Sequence, residues 1–215
     1  MTVIAPSILA ANWGTLREEI VAAEEAGADW FHLDVMDGQF VPPITFGEKI
    51  VATARAVTKL PLDVHLMINN PERQLEAIAA AGADRITVHV ETCPHLHRTL
   101  DEIKKLGCKA GVALNPATSL ETIRPILGDL DLLLVMTINP GWGGQALIPE
   151  TLVKLRTAKA LLDGVGSSAY LQVDGGVNSK TVSEIKKAGA NSLVAGTAIF
   201  GSDDYKTAIS SLRSA

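Results

Sequence analysis

Short apolar runs recur along the chain, and each is followed by a longer stretch with helical spacing. Strand-like runs fall near Ile4–Leu9, Trp30–Val35, Leu62–Leu66, Arg85–Val90, Lys109–Leu114, Leu132–Met136, Tyr170–Val173 and Leu193–Ala195. Amphipathic stretches such as LREEIVAAEEAG and ERQLEAIAAAG lie between them. Three helix ends echo one another: EAGADW from Glu25, AAGADR from Ala80 and KAGANS from Lys187. A weaker fourth, KLGCKA, starts at Lys105. In each, a glycine closes a helical pattern, as expected of the residue just past a helix C-terminus. Gly27, Gly82, Gly107 and Gly189 are 55, 25 and 82 residues apart, close to multiples of about 27.

Eight such units fit in 215 residues. Strict strand–helix alternation predicts a parallel sheet. Eight units in this length predict one closed (β/α)8 TIM barrel over residues 1–215. An open Rossmann-like sheet is the alternative, but no G-x-G-x-x-G follows the first strand.

The barrel turns attention to the C-terminal ends of the strands, where such folds carry chemistry. The second run reads WFHLDVMDGQF. Phe31, Leu33 and Val35 share one face, which leaves His32 and Asp34 on the other. Burying an imidazole and a carboxylate is costly unless each is paired or holds a metal. The third run, PLDVHLM, carries Asp63 and His65; the seventh, YLQVDGG, carries Asp174; the first carries Ser7. Inward alternation lets His32, Asp34, His65 and Asp174 converge on the barrel axis. Two imidazoles and two carboxylates suit a divalent transition metal such as Zn, Fe or Mn. The plainer alternative is a set of polar core residues paired with each other. His89 reads as a satisfied core histidine, and His95 and His97 as surface residues. Met36, Met67 and Met136 stand at or just past strand ends, where a soft apolar collar would exclude water from a charged intermediate.

Glycines cluster after the last three strands: Gly141, Gly143 and Gly144 in NPGWGGQ, Gly175 and Gly176 in DGG, and Gly196 in AGTA. Such turns let backbone amides approach an anion, at the end where these barrels commonly hold phosphate. No Lys or Arg lies in them. The long loop 139–149 is placed to act as a lid. Metal, paired carboxylates and a phosphate seat together predict metal-assisted proton transfer on a sugar phosphate.

Composition narrows the picture. Apolar residues make up 47% of the chain and mean hydropathy is +0.22, which argues against disorder. The net charge of -5 leaves no footprint for nucleic acid. No apolar run is long enough to span a bilayer, and MTVIAPSILAAN lacks the basic start of an export signal. Cys93 and Cys108 have no metal-type spacing and fit a reducing compartment. A cytoplasmic enzyme with a small-molecule partner, and neither membrane nor nucleic acid as partner, is expected.

Five stretches, IAPSILAAN, HLDVMDGQFVP, LDVHLM, VMTINPGWGGQ and VDGGV, strongly resemble the ribulose-phosphate 3-epimerase family, and the likeness runs from end to end. The resemblance implies a barrel of the ribulose-phosphate-binding type. It implies interconversion of D-ribulose 5-phosphate and D-xylulose 5-phosphate with one divalent metal (Zn, Fe(II), Mn or Co) per subunit. By residue it implies His32, Asp34, His65 and Asp174 as ligands, with Asp34 and Asp174 doubling as acid and base. Ser7 and His65 would touch the sugar. Gly141, Trp142, Gly143, Gly144, Gly175, Gly176, Gly196 and Thr197 would surround the phosphate end. A homo-oligomer is implied too. Asn12, Pro43, Trp142, Gln172 and Thr197 depart from the family's usual residues; Gln172 stands where Glu is common and faces inward, one layer below Asp174. The rival activities are 3-epimerisation of a ketohexose phosphate such as allulose 6-phosphate, a phosphate-barrel decarboxylase, and non-catalytic sugar-phosphate binding. The decarboxylases use an Asp-x-Lys-x-x-Asp cluster that the second run lacks.

Overall fold

The computed structural model describes residues 2–215. Its strands are β1 (Val3–Pro6), β2 (Phe31–Met36), β3 (Leu62–Met67), β4 (Arg85–His89), β5 (Lys109–Leu114), β6 (Leu132–Met136), β7 (Tyr170–Asp174) and β8 (Ser192–Ala195). All seven neighbouring pairs are parallel, in the order β1-β8-β7-β6-β5-β4-β3-β2. An isolated parallel bridge between Ser7 and His32, and a hydrogen bond from the Asp29 amide to the Ile4 carbonyl, bring the two ends of the sheet together. The result is the expected (β/α)8 barrel.

The helices are α1 (Leu16–Glu25), α2 (Glu48–Val57), α3 (Leu75–Ala80), α4 (Leu96–Lys105), α5 (Thr151–Gly164), α6 (Val182–Lys187), α7 (Thr197–Phe200) and α8 (Tyr205–Ser214). The four repeat glycines sit just past α1, α3, α4 and α6 with φ between +85° and +109°, the left-handed conformation that glycine adopts without strain.

Two expectations need correction. Among the described residues no α-helix joins β5 to β6; short 3-10 turns over Leu120–Thr122 and Arg124–Asp129 take its place. Pro125 there lacks an amide proton and Gly128 is a poor helix former, so the segment does not propagate as a helix. The first strand also ends at Pro6, not Leu9. The Ala10 amide turns back to the Ser7 carbonyl and Ile8–Ala10 coil as a 3-10 turn. Ile8 is buried in this turn, as it would be in a strand, so its apolar character could not tell one from the other.

The strands separate two apolar layers. Phe31, Leu33, Val35, Val64, Leu66, Ile86 and Val88 pack outward against helices. Ala5, Trp30, Ala113, Leu132, Leu134, Met136, Ile138 and Val194 pack inside the barrel. Period-2 alternation thus sends His32 and Asp34 inward, and strand register decides what each one meets.

Candidate active site

The β2–β3 register places His32 opposite Asp63, Asp34 opposite His65 and Met36 opposite Met67. On the far wall Asp174 lies opposite Met136 and Val194. His32, Asp34, His65 and Asp174 come together, each offering one ligand atom within 4.8 Å of all the others. His32 and His65 are fully buried, whereas 17% of the Asp174 side chain stays exposed. Asp34 is the hub. Its Oδ2 accepts from the Ser7 hydroxyl at 2.5 Å, and its Oδ1 lies 3.1 Å from His65 Nδ1 and 3.2 Å from His32 Nε2.

Behind this cluster lies a second layer of polar groups. His32 Nδ1 faces Asp63 Oδ2 at 2.9 Å, and the same oxygen accepts from Gln172 Nε2 at 2.8 Å. Gln172 Nε2 also reaches Ser192 Oγ at 3.0 Å. Burial opposes the ionisation of Asp63, but His32, Arg85 and Gln172 outweigh it and keep the carboxyl below its usual range. An ionised carboxylate only accepts, so His32 Nδ1 carries a proton. His32 Nε2 then turns toward Asp34, and it is a buried nitrogen without a hydrogen-bond partner. An orphaned imidazole nitrogen aimed at a carboxylate asks for a cation between them. Mixed nitrogen and oxygen donors, each imidazole held from behind, are what a divalent transition metal requires. The residues fit such an ion.

The two carboxyls are driven apart. Burial opposes ionisation of Asp34, yet His32 and His65 overcome it and hold the group far below the usual carboxylate range. Burial and then the negative charge of Asp34 push Asp174 up to about 7. One carboxyl readily gives up its proton and the other keeps it near neutrality, the pattern of an acid/base pair.

A cavity of about 330 Å³ opens above the cluster. Ser7, Asp34 and Asp174 line its floor, with Met36, Met67 and Met136 on the walls. Met36 and Met67 pack with Leu9, Phe40 and Val41 in a separate apolar cluster, whereas Met136 belongs to the barrel interior. Gly141, Trp142, Gly143, Gly144, Gly175, Gly176, Gly196 and Thr197 also line it, and no Lys or Arg does. Gly176 has a geometric reason of its own. Its φ is +66°, and a Cβ there would meet the Leu147 amide nitrogen at 2.7 Å. Asn178 lines the same end, where its Nδ2 donates to the Gly176 carbonyl at 3.1 Å. The 139–149 loop is tied to itself by Gln145 Nε2, which donates to the carbonyls of Asn139 and Trp142.

The model of the ribulose-phosphate 3 epimerase family matches residues 3–200. The chain belongs to this family. A ribulose-phosphate 3-epimerase of Bacillus subtilis (strain 168) is 53% identical over 214 residues, covering 99% of both chains. One of Synechocystis is 51% identical over 98% of this chain and 93% of its own. Among solved structures, KGPDC from Streptococcus mutans superposes with a TM-score of 0.73 over 98% of this chain and 94% of its own. Its 14% identity makes that a likeness of fold.

Several polar partnerships were not read from the sequence. Asp63 backs His32, Gln172 backs Asp63, and His89 and Glu91 stand behind His65. A signal for the last pair existed. His89-x-Glu91 repeats the spacing of His32-x-Asp34 and Asp63-x-His65, although β4 ends at His89 and Glu91 stands in the short turn Val90–Thr92 beyond it. His97, read as a surface residue, is 66% exposed. No helix among the described residues is long and apolar enough to cross a membrane.

Proposed function

We propose that this chain interconverts D-ribulose 5-phosphate and D-xylulose 5-phosphate by moving the proton at C3, with one divalent cation per subunit held by His32, Asp34, His65 and Asp174. The carrying observation is the convergence of those four side chains with two carboxyls of opposed proton affinity. When bound, the cation polarises the ketose carbonyl and offsets the charge of the enediolate. Asp34 takes the C3 proton from one face, and Asp174 returns a proton to the opposite face. In the reverse direction the roles exchange; after each turnover Asp34 releases its proton to solvent and Asp174 takes one up, which restores the starting state. Ser7 holds Asp34 through its 2.5 Å hydrogen bond and is placed on the cavity floor to touch the sugar. Met36, Met67 and Met136 keep water from the enediolate.

The phosphate seats among the amides of Gly143, Gly144, Gly176, Gly196 and Thr197, with Trp142 and the 139–149 loop over it. The reading includes a cytoplasmic location, in keeping with two buried free thiols, and a homo-oligomer, testable by light scattering. Incubation with ribulose 5-phosphate in D₂O tests the function: deuterium should enter at C3 as xylulose 5-phosphate forms. Absence of both would remove the proposal. Comparing kcat/KM with allulose 6-phosphate tests the choice of a pentose.

A further inference from the structure

We infer that His89 and Glu91 are positioning residues that lock the tautomer and orientation of His65, so that its Nδ1 lone pair faces the cation. This inference rests on the cation site proposed above.

His89 ends β4 and is fully buried. Its ring lies end-on to that of His65, with centroids 5.0 Å apart and planes 25° apart, and Phe40 packs against it at 4.7 Å. The two Nε2 atoms face each other at 2.9 Å. That distance requires one of them to donate and the other to accept. What lies behind each ring decides which. Behind His89, Nδ1 meets Glu91 Oε2 at 3.1 Å. The other Glu91 oxygen accepts from the Asn115 amide at 2.8 Å and from the Thr118 hydroxyl. Burial opposes ionisation, but these two donors, together with His89, hold the Glu91 carboxyl at about 2, so its free oxygen can only accept. His89 therefore carries its proton on Nδ1 and accepts at Nε2. His65 then donates from Nε2, which leaves Nδ1 for the cation; without a cation Nδ1 is within hydrogen-bond distance of the Asp34 carboxylate, which competes for a proton there. Nδ1 lies 3.1 Å from Asp34 Oδ1 and 4.0 Å from Asp174 Oδ2.

The order of protons is thus set at Glu91 and passed through His89 to the cation site. The other imidazole uses a shorter version, with Asp63 directly behind His32. In each case a carboxylate behind the ring selects which nitrogen is free to bind. The opposite order would place His65 Nδ1–H toward Asp34 and close that coordination position.

The decisive variant is Glu91→Gln in the full chain. Two donors already claim Oε1, so the amide oxygen settles there and the NH₂ turns to His89 Nδ1. The proton order then reverses along the chain. His89→Phe removes the relay while keeping an aromatic ring, Glu91→Asp keeps the acceptor, and His97→Gln is the surface control. Cobalt(II) is the probe, read by affinity and by its visible absorption. Imidazole ¹⁵N shifts in the zinc-loaded protein report whether His65 keeps its proton on Nε2. Glu91→Gln and His89→Phe should each weaken cobalt binding about 10- to 100-fold and alter the spectrum, with Glu91→Asp closer to wild type and His97→Gln unchanged. The ¹⁵N shifts should show His65 Nε2–H donating to His89 in the zinc-loaded wild type, and this bond lost in Glu91→Gln. If His89→Phe does not fold, Glu91→Gln decides alone. Wild-type affinity, spectrum and tautomer in folded Glu91→Gln would overturn the inference while leaving the cation site standing. Failure of wild-type protein to take up cobalt would overturn both.

Discussion

Asp63 sits directly behind His32, with Oδ2 at 2.9 Å from Nδ1, and so turns the unpartnered Nε2 toward Asp34. This pairing is the mirror of the proton economy on the open side, where a cation would compete with protons for the same atoms. His32 is raised well above its usual range: burial alone would lower it, but Asp34 and Asp63 overcome that. Asp174 is raised to about 7 by burial and by Asp34.

Cation binding therefore displaces protons from His32 and Asp174. Affinity for Zn(II), Mn(II) or Co(II) should fall as pH is lowered through about 7, and calorimetry in buffers of different ionisation enthalpy should detect proton release. Verified removal of the metal should abolish turnover, and adding it back should restore activity. Full activity in protein shown by elemental analysis to be metal-free would exclude a catalytic cation.

The cation-free protein should show the same linkage in its stability. A raised carboxyl binds its proton more tightly folded than unfolded. The stability it contributes is present below about 3.8, the ordinary value, and is lost as pH rises through about 7. Raised His32 acts in the same direction at higher pH. His65 and His89, lowered by burial, act in the opposite direction over the same range, so the contribution is read as a difference. The stability of wild type relative to Asp174→Asn, from thermal melts in chelator, should decline as pH rises through about 7. An unchanged slope in that variant would mean that Asp174 is not the titrating group.

Asp34→Asn and Asp174→Asn should each lower epimerisation about 10²- to 10⁴-fold, the usual range for a general acid or base. Because both residues are also proposed ligands, the measurement is C3 exchange in D₂O in preparations with matched metal content. A metal-loaded double variant that turns over at the wild-type rate would eliminate the two-carboxylate mechanism.

Ser7→Ala removes a donor from a buried, ionised carboxylate. A hydrogen bond to a charged group is worth about 1.5–3 kcal/mol, so kcat should drop about 10- to 100-fold with metal content unchanged. A variant within about twofold of wild type, less than such a bond is worth, would show that the 2.5 Å contact to Asp34 has no part in turnover.

Unphosphorylated D-ribulose should be a poor substrate, with kcat as well as KM affected, because remote binding is used to orient the reacting carbon. Gly176→Val is a blunt probe of this, since its Cβ would strike the Leu147 backbone. Gly143 is better: its nearest neighbour to a new Cβ is Thr197 Cγ2 at 4.0 Å. Gly143→Val should raise KM for the phosphorylated sugar more than for ribulose. Equal kcat/KM for ribulose and its 5-phosphate would reduce these glycines to turn geometry.

Much of this was legible along the chain. The spacing of Gly27, Gly82, Gly107 and Gly189 counts out the barrel, because every helix must end and return to the sheet within a similar length. Alternation separates His32 and Asp34 from Phe31, Leu33 and Val35, because a strand sends neighbours to opposite faces. Those are local rules, and one chain carries them. The partners are not local. Asp63 lies 31 residues from His32 and Gln172 lies 109 from Asp63. They meet only because parallel register sets His32 opposite Asp63 and barrel closure brings β7 across to β3. The β3–β4 register turns His89 from a satisfied core residue into the link between His65 and Glu91. Closure acts across the barrel and also puts Asp34 close enough to Asp174 to move its proton affinity. Charge coupling and hydrogen-bond order depend on distances of a few ångströms across strands, and only the folded barrel sets those distances.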